Sequence, residues 1–152
     1  MEADSPMLEK SNAGTIETLS CTRTFAEVSE ESLSELAASS QQIELSGGTV
    51  LIQPGTKYQN KVYILLKGDI TMHRASGRQD QVYPGDFMGL ANYLDKNDYA
   101  STAKVTTKST VLVIGDEDLD RLETERPDLF NALNRVIACK LRERSPDRTI
   151  SS

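Results

Sequence analysis

The stretch Pro84-Gly85-Asp86-Phe87-Met88-Gly89-Leu90-Ala91 sets two glycines in a hydrophobic frame. After the polar segment 92–98 comes Tyr99-Ala100-Ser101-Thr102-Ala103-Lys104-Val105. Glycines of this kind mark corners where the backbone needs a positive φ or a close approach that a Cβ would block. Short apolar runs surround the stretch. Ile43 and Leu45 alternate with polar neighbours, Val50-Leu51-Ile52 and Val62-Tyr63-Ile64-Leu65-Leu66 are β-branched or apolar, and Ile70 and Met72 alternate again. Gly47-Gly48, Pro54-Gly55, Lys67-Gly68-Asp69 and Ser76-Gly77 separate them. Short strands with regular turn signals predict a β-sandwich or barrel. Further strands are expected near 100–107 and over Thr110-Val111-Leu112-Val113-Ile114.

Helical spacing flanks this β region on both sides. Phe25, Val28, Leu33, Leu36 and Ala37 recur at helical intervals, and Ser29 suits an N-cap, so a short helix is expected near 29–39. Leu119 and Leu122 open a second helical region, and Pro127 fits the first turn of another helix. Leu129, Phe130, Leu133, Val136, Ile137 and Leu141 then form one apolar stripe. Arg142, Arg144 and Arg148 lie at or beyond its end, where cations complement a helix dipole. The expected organisation is an acidic disordered leader over 1–20, one domain over 21–144, and a flexible tail over 145–152. Within the domain, strands span about 43–114 and C-terminal helices about 116–143.

A chain of 152 residues, 38% hydrophobic and 26% charged, can bury one core. The net charge of −6 is concentrated at the start. Residues 1–40 hold Glu2, Asp4, Glu9, Glu17, Glu27, Glu30, Glu31 and Glu35 against Lys10 and Arg23, so the rest is balanced. No basic nucleic-acid face is expected, and there is no room after the stripe for a helix-turn-helix, so this chain is not expected to bind DNA directly. There is no membrane-length apolar run and no signal-peptide core, so a cytoplasmic protein is expected.

Signals for catalysis are lacking. His73 is the only histidine, which excludes a multi-histidine metal site or a Ser-His-Asp set with a choice of bases. Cys21 and Cys139 have no CxxC partner and are expected to be plain thiols. No phosphate-binding loop or paired-carboxylate motif appears. The chain is therefore expected to be no enzyme, and no metal site is expected.

The order helix, antiparallel roll, helices resembles the cyclic nucleotide-binding domain family, from about Phe25 to Arg142. Gly48-Thr49-Val50-Leu51-Ile52-Gln53-Pro54-Gly55 is similar to that family's early strand and glycine turn. Val62 through Ile70 resembles its Y-I-x-x-G-x-v strand pair, and Gly85-Asp86-Phe87-Met88-Gly89 the entry to its phosphate-binding cassette. The resemblance implies a mainly β jelly roll, or β-roll, with a short N-terminal helix and C-terminal helices. It also implies a cassette helix facing a cyclic phosphate, a Glu after the second glycine for the ribose, and an Arg further on for the phosphate.

This chain departs from the pattern at both charged positions. Leu90 follows Gly89, and Tyr99 stands at the place counted for the arginine. A charge-assisted hydrogen bond contributes about 1.5–3 kcal/mol, so each loss costs about one to two decades of affinity. The pocket candidates are Phe87, Met88, Gly89, Leu90, Ala91, Tyr99, Ala100 and Ser101, with Met88, Leu90 and Leu94 expected as pocket or core lining. No cofactor is required; a cyclic nucleotide or another small ligand would be the guest. The resemblance implies a sensory or regulatory domain of weak or altered ligand specificity, signalling through its C-terminal helix. The alternative is a ligand-free interaction or dimerisation module whose pocket is filled by Leu90 and Tyr99. A homodimer would use Leu129, Leu133, Val136, Ile137 and Leu141, and an output domain or partner protein would receive the signal.

Overall fold

The computed structural model describes residues 14–151, with side chains placed as far as Cys139. Two long strands, β3 (Lys61–His73) and β6 (Thr102–Gly115), pair antiparallel from Lys61↔Gly115 to His73↔Thr102. β1 (Gln41–Leu45) and β2 (Val50–Ile52) pair with opposite ends of β6. β4 (Gln79–Val82) and β5 (Phe87–Met88) pair with opposite ends of β3. The path is β1-β6-β3-β4, with β2 attached to β6 and β5 to β3. This six-stranded antiparallel roll with flanking helices is the fold class expected from the turn spacing.

The strands expected near 100–107 and 110–114 are one strand. The polar run Thr106-Thr107-Lys108 resembles a break in sequence, yet it continues β6 where β3 bulges. The register slips between Leu65 and Ile70, and Gly68 takes φ 122 within that bulge.

The run Val62–Leu66 is apolar throughout because β3 is covered on both faces. Val62, Ile64 and Leu66 pack toward the helices, whereas Tyr63 and Leu65 point into the roll. β6 divides in the same way, with Leu112 and Ile114 on the helix side and Val111 inside.

The helical layer is α1 (residues 14–20), α2 (Glu30–Ala38), α4 (Asp116–Glu125) and α5 (Pro127–Ser151); α3 (Leu90–Asp95) belongs to the site below. Ser29 caps α2 as expected, its hydroxyl accepting from Ser32 N at 3.1 Å. Residues 14–20, placed with the leader in sequence, are helical here, and Leu19 lies fully within the core. At the other end α5 runs through the segment placed in the tail. No helix among the described residues is long and apolar enough to cross a membrane.

Asp128 fastens α5 to α2. Its carboxylate accepts from Ser29 N at 2.9 Å, Ser32 Oγ at 2.7 Å and Leu129 N at 3.0 Å. Burial alone would raise its pKa, but these hydrogen bonds outweigh burial and hold it below the ordinary 3.8. A depressed carboxyl stabilises the fold fully above its unfolded pKa, and that contribution is lost as pH falls through the folded value. Asp128→Asn should therefore cost about 0.5–2 kcal/mol near neutrality, as a lost cap does. Thermal melts from about pH 6 down to about pH 2 should converge for variant and parent at the acid end. Parallel curves over that range would contradict this role.

Candidate functional site

The cassette begins at a corner with no room for a side chain. Gly85 has φ 91, its amide donates to Leu65 O at 2.8 Å, and a Cβ there would lie 2.6 Å from Thr22 Cβ. Phe87 then faces the helices, its ring centroid 5.8 Å from that of Phe25, while Met88 faces the roll interior. Gly89, at φ 87, is the left-handed N-cap of α3. That helix ends at Lys96, also left-handed at φ 59. The Asn92 side chain donates to the carbonyls of Asn97 and Asp98, each at 2.9 Å. The polar segment 92–98 thus completes a short helix and closes it with its own C-terminal clasp.

Tyr99 re-enters the roll. Its side chain is 4% exposed and sits among Ile52, Met88 and Ala103. The ring stands edge-on to Tyr58 at 5.9 Å, and the hydroxyl oxygen accepts from Gln59 N at 3.4 Å. Its backbone is fixed as well, donating to Thr56 O at 2.9 Å and accepting from Gly55 N at 2.8 Å. Burial, with a smaller push from Asp116, raises the phenol pKa against the Gln59 amide, so it is neutral. Ala100 is exposed, and Ser101 Oγ meets Arg74 Nη1 at 3.5 Å. Arg74 Nε and Arg78 Nε hold Asp80 at 2.9 and 2.8 Å.

A second group of residues ties α3 to α4. Lys96 Nζ pairs with Asp116 Oδ2 at 2.8 Å and lies over the rings of Tyr58 and Tyr93, at 5.4 and 4.8 Å. The Tyr58 hydroxyl donates to Asp116, and the Tyr93 hydroxyl contacts both Asp120 and Glu123. Burial first, then these carboxylates, push both phenols well above the usual tyrosine range, so each keeps its proton. A crevice of about 180 Å³ remains beside Tyr99, lined by Val50 to Gln53, Thr56 and Gln59. Among the described residues no group of three His, Cys, Asp or Glu could hold a metal ion.

A sequence model of the cyclic nucleotide-binding domain matches residues 42–125, more than half of the chain. The chain belongs to the cyclic nucleotide-binding domain family. No curated protein matched. Among solved structures, the chain is similar to the N-terminal domain of a transcriptional regulator from Streptomyces coelicolor A3(2). That pair is 27% identical with a TM-score of 0.64, over 85% of this chain and 95% of the other. Thermus thermophilus catabolite activator protein superposes with a TM-score of 0.73 at 18% identity, over 85% of this chain and 62% of that one. The sensor domain of the transcriptional regulator DNR from Pseudomonas aeruginosa gives 0.66 at 21%, over 86% and 95%. The last two likenesses concern the fold.

Within this family fold the eight candidate residues do not converge on one cavity. Phe87 and Leu90, the latter 2% exposed, belong to the helix-side core, whereas Met88 and Tyr99 belong to the roll. Leu90 therefore fills no pocket with Tyr99, because α3 turns it outward from the roll. Leu94, expected as lining, is 52% exposed. The Tyr93 hydroxyl is bonded to α4, and Asp116 is the centre of the α3–α4 contact. These long-range partners carry no motif; Tyr58 and Asp116 are joined only by the folding of the roll.

Proposed function

We propose that this domain is a non-catalytic, cytoplasmic regulatory module whose roll interior is closed by Tyr99, and that it takes cyclic nucleotide weakly or not at all. The observation that carries this reading is the burial of the Tyr99 ring, with its hydroxyl against the Gln59 amide. The crevice left beside it, about 180 Å³, is small against the roughly 300–1,000 Å³ of ordinary ligand pockets. No arginine occurs between Gly89 and Arg121, and Arg74, which reaches Ser101, already engages Asp80. Sensor and regulator domains of the same fold support a regulatory role over a catalytic one.

The output runs through α4 and α5, to which the cassette is joined by Tyr93 and Lys96. A homodimer through α5 is part of this proposal. Leu129 and Leu133 are buried in the chain's own core, so the interface falls to Val136, Ile137 and Leu141; the Leu141 side chain lies outside the described residues. An output domain or partner protein would read the state of that helix.

Calorimetric titration with cyclic AMP, cyclic GMP and cyclic di-GMP checks the closed interior. No heat and no thermal shift are expected even at millimolar nucleotide. Submicromolar binding of any of the three would reject the proposal.

A further inference from the structure

One ammonium is already caged where α3 meets α4. Lys96 Nζ stands 2.8 Å from Asp116 Oδ2 and over the rings of Tyr58 and Tyr93, at 5.4 and 4.8 Å. Two aromatic faces and a carboxylate make a cation site, and this chain supplies the occupant itself. Lys96 is only half enclosed: its side chain is 55% exposed, against 14% for Asp116. The walls are held by other bonds. Tyr58 donates to the second oxygen of Asp116, the Asp116 amide donates to Asn60 O at 3.0 Å, and Tyr93 is tied to α4 through its hydroxyl. The cage therefore does not depend on Lys96 for its shape.

A second cation position adjoins the first. The Tyr93 hydroxyl meets both Asp120 and Glu123, yet a phenol has one proton to donate. Among the described residues neither carboxylate has an ion-pair partner, since Arg121 is on Asp118 and Glu125. Both line an open groove of about 470 Å³ between α4 and α5, beside Thr124 and the 43% exposed ring of Phe130. That volume lies within the roughly 300–1,000 Å³ of ordinary ligand pockets. Asp116, Asp120 and Glu123 thus gather around one ammonium, with the Tyr93 phenol between the two positions.

We propose that these two positions together bind a short aliphatic diamine. One ammonium takes the place of Lys96 between Tyr58, Tyr93 and Asp116, and the other reaches Asp120 and Glu123 along the Tyr93 phenol. This rests on the reading above that the cassette acts on α4 through Tyr93 and Lys96, and it names the ligand that sets that contact. The second charge decides the ligand class. Lys96 is tethered, so it holds the cage at an effective concentration on the order of millimolar, and a monoamine from solution offers the cage nothing better. A diamine brings two charges to the three carboxylates, and its second ammonium makes contacts that Lys96 does not. With Lys96 expelled into solvent, α3 keeps Tyr93 as its link to α4.

Amide NMR titration of the full chain with putrescine tests this, with n-butylamine as the single-charge control and the ionic strength held constant. Putrescine should shift the α3 and α4 amides saturably and bind at least about tenfold more tightly than n-butylamine. Lys96→Ala, or Lys96→Gln should the alanine variant not fold, should bind putrescine about tenfold more tightly than the parent, because the tethered competitor is gone. Asp120→Asn combined with Glu123→Gln should reduce putrescine to the affinity of the monoamine. Equal affinity for the two amines, or a putrescine affinity unchanged by that double variant, overturns the proposal. So does the absence of saturable binding to both the parent and the Lys96 variant at about 10 mM putrescine. Shifts that saturate in α3 and α4 without reaching α5 keep the diamine site and reject the regulatory reading on which its role rests.

Discussion

Gly68→Ala is expected to destabilise the domain by about 2–5 kcal/mol and lower its Tm by roughly 5–20 °C. Gly68 sits at φ 122 in the β3 bulge, a conformation that L side chains avoid. An added Cβ would come 2.4 Å from Ser109 Cβ and 2.5 Å from Ser109 Cα. The second of these is backbone, so no rotamer change removes it. Ser109 is also fixed in place, accepting from Asp69 N at 2.9 Å and donating to Thr107 O at 2.8 Å. Adding Ser109→Gly should therefore relieve only part of the loss, since it clears the side chain, leaves the Cα, and deletes both hydrogen bonds. Gly77→Ala supplies a control: its φ is 95 but its surroundings are open, so only the backbone strain of about 1–2 kcal/mol applies. Denaturant or thermal unfolding of the three variants decides it. If Gly68→Ala and Gly77→Ala melt together, the close approach of β3 to β6 is wrong.

The same bulge explains which parts of the fold were legible in the sequence. The corner at Gly85, the Ser29 cap and the two-sided apolar run Val62–Leu66 each follow from local chemistry, and local chemistry is written residue by residue. The continuity of β6 was not legible, because Thr106 to Lys108 looks like a turn unless its partner strand is known. Side-chain facing was hidden for a related reason. Leu90 and Tyr99 are both apolar residues of one cassette, and only the left-handed turn at Gly89 sends the first to the helices while the second returns to the roll. The contact of Lys96, Tyr58 and Tyr93 with α4 joins residues far apart in the chain and follows no spacing rule. A phenol–carboxylate pair of this kind has no sequence signature beyond the presence of both residue types.

Tyr99→Ala should cost about 3–5 kcal/mol, the usual price of deleting a buried aromatic ring whose neighbours relax only in part. The ring touches Tyr58 edge-on and packs among Ile52, Met88 and Ala103, and β-sheet pairing restrains those residues from closing the gap. Tyr99→Phe keeps the ring and removes only the acceptor for Gln59 N, a bond long at 3.4 Å, so about 1 kcal/mol or less is expected. The pair of variants thus separates volume from hydrogen bonding. If Tyr99 is what occupies the roll, the alanine variant holds an apolar cavity that a small aromatic can enter, and phenol or indole should raise its Tm toward that of the parent. The parent and Tyr99→Phe should show no such shift. A Tyr99→Ala variant as stable as the parent, or equal stabilisation of all three proteins by phenol, would mean that the ring lies over a vacant site and does not fill it. The difference matters for function: a plugged roll must act through its surfaces, chiefly the α3–α4 contact and α5, whereas a covered one still has an interior to offer a ligand.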